Sequence, residues 1–398
     1  MQGATSTPTS PTVADSGNGG GPTKSDPKDC ETGLTTEARS PEIEAAQSAQ
    51  VEATMARLSR SLRSDADERT RVTGMFLDNT LDMATAFAAE SRASVERCDA
   101  DQGCLAAAAR ANIDAMRRAR APNLEAVARL AATTSDSFTY AVALQACNRF
   151  AVAPESAPSC KLLSLAQWAR LDPDNATPWL HIAAEASARK DSAAVDEAMY
   201  RVAAATNNRI YGDQLLRHAL THVAAGASES EKADVFLFVT GVTAAWQLPA
   251  YQTVTRYCAV PLLHDSNRWQ ACDGIARNLV GHASTLLEKR IGFRIGERLK
   301  WPTEKLSALR DEDDALMRVQ MAGFYEAEPD SCRVDERRRD FWLQAASLGE
   351  VAAARALVAA SGKSVATLAA EARAERDVLV KAAAAEAAAR PASAASGA

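Results

Sequence analysis

Apolar side chains recur at alternating three- and four-residue intervals along most of this chain, the spacing that lines one face of an α-helix. Val51, Met55, Leu58 and Leu62 form one such stripe, opened by Ser40-Pro41. Val72, Phe76, Met83 and Phe87 form the next, up to Cys98. The two predict a long αα-hairpin at the amino end, followed by shorter helices over 104–118 and 122–132. Phe138 to Asn148 and Lys161 to Leu171 predict a further hairpin. Beyond residue 205 the same periodicity marks helices over 211–224, 229–247, 249–258, 268–299 and 303–326, a hairpin over 338–361, and a final helix over 365–389. Gly281 or Gly292 is expected to break the 268–299 segment, and Trp301-Pro302 to end it. Runs of strand-forming residues are nearly absent, and the best, Val235 to Val239, sits inside a longer helical pattern. The chain reads as all-α.

The clearest unit runs from Leu171 to Ala205. Asp174, Asn175 and Thr177 offer side-chain oxygens to cap the first amides, and Pro178 suits a first helical turn. Trp179, Ile182, Ala183 and Ala186 make one stripe; Asp191 or Ser192 then caps a second helix striped by Val195, Ala198, Met199, Val202 and Ala203. Alanines where the helices meet permit close approach, and Trp179, Met199 and Tyr200 are expected to fill the wider gaps. Neither helix can bury its stripe alone, so neighbouring hairpins are expected to stack on it.

Through Trp179, Ile182-Ala183, Ala186, Ala198, Tyr200 and the preceding Leu171-Asp172-Pro173, this stretch resembles a tetratricopeptide repeat. It departs from that pattern at Lys190, where the family has Gly, and no Pro closes the unit after Ala205. Asp340 to Ser364 resembles a related repeat class through Trp342, Ala345-Ala346, Gly349, Ala353 or Ala354, Leu357 and Gly362. The resemblance implies antiparallel helical hairpins stacked as a short, irregular α-solenoid. Trp179, Ile182, Ala183, Tyr200, Trp342 and Gly349 would be its packing residues, with Gly349 in a left-handed turn that closes the first helix. Four regions follow: a Ser/Thr/Gly/Pro-rich segment over 1–38 expected to be disordered, an amino-terminal helical region over 39–135, a repeat region over 136–364, and an Ala-rich helix with a frayed tail over 365–398.

Composition adds limits. With 398 residues, 47% of them hydrophobic, the chain can bury a sizeable core, packed mainly by Ala, Leu and Val because aromatics are only 5%. The net charge is −6, and the basic run Arg337-Arg338-Arg339 is flanked by Asp335, Glu336 and Asp340, so no nucleic-acid partner is expected. No apolar run reaches the roughly 18 residues that span a bilayer.

The eight cysteines include no Cys-x-x-Cys pair, and with five histidines in the chain a structural zinc site is poorly supported. Six cysteines lie close in sequence across turns, and Cys98–Cys104, Cys147–Cys160 and Cys258–Cys272 are expected to be disulfides. The pairing of Cys30 and Cys332 stays open. Such staples imply an oxidising compartment, periplasmic or secreted, with reduced cysteines in a cytoplasmic protein as the alternative. No basic segment followed by an apolar one stands near Met1, so the oxidising reading expects the native start upstream, with residues 1–38 as a linker.

Candidate chemistry is sparse. His218 and His222 sit at i and i+4, the spacing of two helical metal ligands, but Ala219 stands where a metalloprotease would carry Glu. Ser361-Gly362-Lys363-Ser364 lacks the earlier glycine of a phosphate loop, and Ser187-Ala188-Arg189-Lys190 lacks the companion motifs of penicillin-recognising enzymes. Asp311-Glu312-Asp313-Asp314 reads as a solvated helix face. The expected function is therefore a non-catalytic scaffold, without cofactor, that binds a protein or peptide partner. A metal-dependent enzyme centred on His218 and His222 is the alternative.

Overall fold

The structure is a computed structural model that describes residues 41–98, 101–149, 157–224, 226–244, 246–325 and 331–389, without the side chains of 41–44, 47, 82–96, 229, 323–325, 331–338 and 386–389. The expected disorder of residues 1–38, Cys30, and the stripe positions Met83 and Phe87 fall outside this description, as does the Cys332 side chain. Among the described residues the protein is all-α, and its one β-bridge joins Asn175 to Asn207.

Helices α1 (Pro41–Arg63), α2 (Glu68–Cys98) and α3 (Gln102–Thr133) pack successively against one another. Met55, Leu58 and Leu62 are buried against Val72, Phe76 and Leu77, as the stripes predict. The expected break before 122 is absent, because α3 runs straight through Pro122. Proline removes one helical amide bond and costs roughly 3 kcal/mol in an isolated helix. Here Leu124, Val127, Ala128 and Ala131 lie fully buried just beyond it, and Asn123 donates to the Met75 carbonyl at 2.9 Å, so the second half of α3 is pinned to α2.

Two hairpins follow. Helix α4 (Ser137–Arg149) leads through a 3-10 turn at Pro158–Leu162 to the short α5 (Leu165–Leu171), which is less than the helix expected over 161–171. Helices α6 (Ala176–Ala188) and α7 (Ser192–Ala204) form the central hairpin. Its amino end is a polar knot around Asn175, which is fully buried. The Asn175 amide donates to Asp172 at 2.7 Å and to the Arg209 carbonyl at 3.0 Å. Its oxygen accepts from the amides of Thr177 and Arg209 at 3.0 and 2.9 Å. Tyr211 donates to the same Asp172 oxygen at 2.7 Å and meets the Ser137 hydroxyl at 2.8 Å, which fastens α4 to the turn. Asn175, rather than Asp174 or Thr177, is the cap, and Asp191 caps α7. Lys190 stands in left-handed conformation at φ 59°, the position where the resembled repeat carries Gly.

Helices α8 (Gly212–Thr221), α9 (Glu229–Ala244) and α10 (Tyr251–Tyr257) come next, then α11 (Ser266–Gly281), α12 (Leu286–Arg298) and α13 (Thr303–Tyr325). The expected break falls at Gly281, and Gly292 stays helical because it is a contact point: a Cβ there would meet Leu279 Cβ at 2.8 Å and the Ala276 carbonyl at 2.9 Å. Helices α14 (Ser331–Leu348), α15 (Glu350–Ala360) and α16 (Val365–Ala389) end the described chain.

These hairpins do not stack strictly in chain order. Helices α8 and α9 fold back on α1 and α2, α7 packs on α11, and α14 packs on α8. One core joins α1–α5 with α8 and α9, a second joins α6 and α7 with α10–α12, and a third lies among α12–α15. Of the expected packing residues, Ala183 is buried and Trp179, Ile182 and Trp342 are partly so. Tyr200 differs: it is 62% exposed, and its neighbour Met199 fills the hairpin interior. Gly349 has positive φ (88°), but its ψ of 152° places it outside the left-handed helical turn expected of it. It precedes α15, where a Cβ would crowd the Ser284 carbonyl.

The acidic run on α13 is a correction to the solvated-face reading. Glu312 accepts from Lys289, whose side chain is 2% exposed, and from Arg355. Asp313 pairs with Arg290, Asp311 with Arg373, and Asp314 with both Arg373 and Arg376. Four acids thus tie α12, α15 and α16 to one helix.

Candidate interaction cleft

Disulfides join Cys98 to Cys104, Cys147 to Cys160 and Cys258 to Cys272, with Cα–Cα distances of 5.4, 5.7 and 5.7 Å. The third closes the loop between α10 and α11, which contains a 3-10 turn at Val260–Leu262. Fixed in this way, the loop forms one wall of an open cleft of about 290 Å³. The α6–α7 turn, with Ser187, Lys190, Asp191 and Ser192, forms the opposite wall. Val195, Asp196, Thr253, Tyr257 and Arg268 make the floor and ends.

Local sequence sets the charges. Asp191 is engaged as a helix cap, accepting from the Ala194 amide at 3.1 Å. Asp265 likewise caps α11 through the Arg268 amide at 2.9 Å. Arg268 lies 3.6 Å from Asp196 and 4.6 Å from the centre of the Tyr257 ring, a cation–π arrangement. Burial, then the nearby Asp196 carboxylate, pushes the Tyr257 phenol up to about 12. Both acids of the cleft are therefore committed. Lys190 and Arg256 are not: neither side chain has an ion-pair partner among the described residues. Leu262, exposed on the same wall, adds an apolar contact, and Val260 is exposed beside it.

The cleft lies at helix ends, and the sequence signal that points to it is Lys190, a cation at the turn position where the resembled repeat carries Gly.

The histidine pair is arranged for packing. His222 Nδ1 lies 2.8 Å from the His218 carbonyl, and its Nε2 is 3.4 Å from Asp65. The His218 ring packs against Phe138 with centroids 5.2 Å apart, and burial lowers its pKa. Among the described residues no group of three or more His, Cys, Asp or Glu side chains is placed to hold a metal ion. No single described helix is long and apolar enough to cross a membrane.

A scan against protein-family models, a search of curated proteins and a search of solved structures each find no match for this chain.

Proposed function

We propose that this protein is a non-catalytic helical scaffold whose cleft between the α6–α7 turn and the α10–α11 loop holds a partner peptide or protein segment bearing a carboxylate. Two cations without an ion-pair partner among the described residues, Lys190 and Arg256, beside a committed Arg268 and an exposed Leu262, support this reading. A carboxylate matches the free charges of a cleft in a chain whose overall charge is −6. The three disulfide-bonded pairs support placing it in an oxidising compartment, the periplasm or beyond, since such bonds persist there and are reduced in the cytosol.

Acidic, neutral and basic peptides of equal length, presented on an array, test the cleft. The acidic set should be retained, with affinity falling as salt rises. The double variant Lys190→Asn, Arg256→Gln should bind about tenfold more weakly, since two solvent-exposed ion pairs together supply about 1 kcal/mol or somewhat more. Asn is chosen at 190 because it tolerates the left-handed backbone. Retention that ignores peptide charge, or a variant that binds as well as the parent, sinks the proposal. Intact mass after alkylation of protein from its native cells tests the compartment: free thiols at the six paired cysteines would place it in the cytoplasm.

A further inference from the structure

The loop between α10 and α11 carries an apolar ridge that its own packing does not use. Val260 is 62% exposed and Leu262 38% exposed, with Pro261 exposed between them. The next residue, Leu263, turns inward onto the second core. Apolar side chains on a free loop would fold back onto neighbouring apolar surface. This loop is not free. The bond between Cys258 and Cys272, both fully buried, ties α10 to α11. Pro261 fixes a backbone angle at the start of the 3-10 turn. The Leu262 and Leu263 amides donate to the carbonyls of Ala259 and Val260 at 2.9 and 3.2 Å, and His264 Nδ1 lies 2.8 Å from the Pro261 carbonyl. Val260 and Leu262 are thus held out in water with little left to order, so an apolar contact made there loses little of its energy to ordering.

The position of the ridge sets its use. Leu262 lines the same cleft as Lys190 and Arg256, and Val195 of α7, partly buried, is a second apolar lining group. The other charges of the cleft do not compete for a ligand, because Asp191 caps α7 and Arg268 lies 3.6 Å from Asp196. At about 290 Å³ the cleft stands at the lower edge of the roughly 300–1,000 Å³ range of ligand pockets. It has room for a side chain or two. An apolar group and a carboxylate that both enter it therefore come from neighbouring positions of one segment. A purely acidic segment would leave the ridge wet, and a purely apolar one would leave two cations unpaired.

We propose that the cleft selects protein segments in which an aliphatic or aromatic side chain stands next to the carboxylate, with Leu262, Val260 and Val195 as the seat of that side chain. This selectivity rests on the carboxylate reading given above and adds an apolar determinant to it.

The experiment measures fluorescence anisotropy of short labelled peptides with the intact protein. The peptides share one length and a Gly/Ser background, and carry Leu-Glu, Ala-Glu, Leu-Gln, or Leu and Glu separated by several glycines. Leu-Glu should bind about tenfold more tightly than Ala-Glu or the separated pair, a difference of about 1.4 kcal/mol. The double variant Val260→Ser, Leu262→Ser changes exposed positions outside the cores and should bind Leu-Glu and Ala-Glu alike. If that variant does not fold, the peptide series on the parent protein decides alone. Equal binding of Leu-Glu and Ala-Glu by the parent, or a preference that survives the serine substitutions, would overturn the apolar determinant and leave the carboxylate reading standing. Leu-Gln bound as tightly as Leu-Glu, or no acidic peptide bound at all, would remove the carboxylate reading and this selectivity with it.

Discussion

Asn175 makes four hydrogen bonds with four different groups, and without it the Thr177 amide and the Arg209 backbone lose this partner while Asp172 keeps only Tyr211. Asn175→Ala is expected to destabilise the protein by about 3 kcal/mol, read from the urea midpoint, because losing buried partners costs more than losing the bonds alone. The cap itself was legible, since an Asn before an apolar stripe is a helix start. Its bonds to Arg209 were not, because nothing local marks a contact across 34 residues. His181 gives a pH dependence at the same scale. Its imidazole titrates at about 4 in the fold and 6.5 when solvated. Its contribution is therefore complete above pH 6.5 and is lost as pH falls toward 4, by about 3 kcal/mol. His181→Leu should flatten that part of the stability profile. Asp213 works in the opposite sense: burial, then Glu350, pushes its carboxyl from 3.8 up to about 6. The stability it lends is present below pH 3.8 and gone once pH passes 6, so Asp213→Asn should raise stability at neutral pH, by up to about 3 kcal/mol in urea unfolding.

Between elements, close approach and covalent staples do what side-chain volume does elsewhere. At Gly292 the new methyl of an Ala substitution would press on backbone, which cannot rotate away, and a loss of about 1–3 kcal/mol is expected. Removing the Cys258–Cys272 bond by double Ala substitution should cost about 3 kcal/mol in the chain-entropy account. Hydrogen exchange should then rise first over 259–265, the cleft wall. The three pairings were legible because each spans a turn between predicted helices. The continuity of α3 was not: local rules end a helix at Pro122, and the packing of Leu124 and Val127 that overrides them is tertiary. Tyr200 failed for the opposite reason, since an aromatic at a repeat position says nothing about which face its helix turns to the core.

Across the whole molecule the sequence announces hairpins but not their partners. The fold-back of α8 and α9 onto α1 and α2 depends on surfaces far apart in the chain, and no periodicity encodes it. The acidic run on α13 misled for the same reason, because its cations come from α12, α15 and α16. Asp314 holds two of them, Arg373 and Arg376, and is itself buried. Asp314→Asn should therefore release α16 as a unit. Its amides should lose exchange protection while those of α1–α5 keep theirs, and a uniform loss across all helices would count against the tether.

Among the described residues the disulfides span 6, 13 and 14 residues, and none of these three encloses or crosses another. These six of the chain's eight cysteines allow 15 complete pairings among themselves, but a chain that enters an oxidising compartment amino end first presents each of these partners before the next of the three pairs has emerged. Oxidation can then proceed in order, one closed loop at a time. In such a compartment these three bonds should form with a thiol oxidase alone, without an isomerase that reshuffles wrong bonds among their six cysteines.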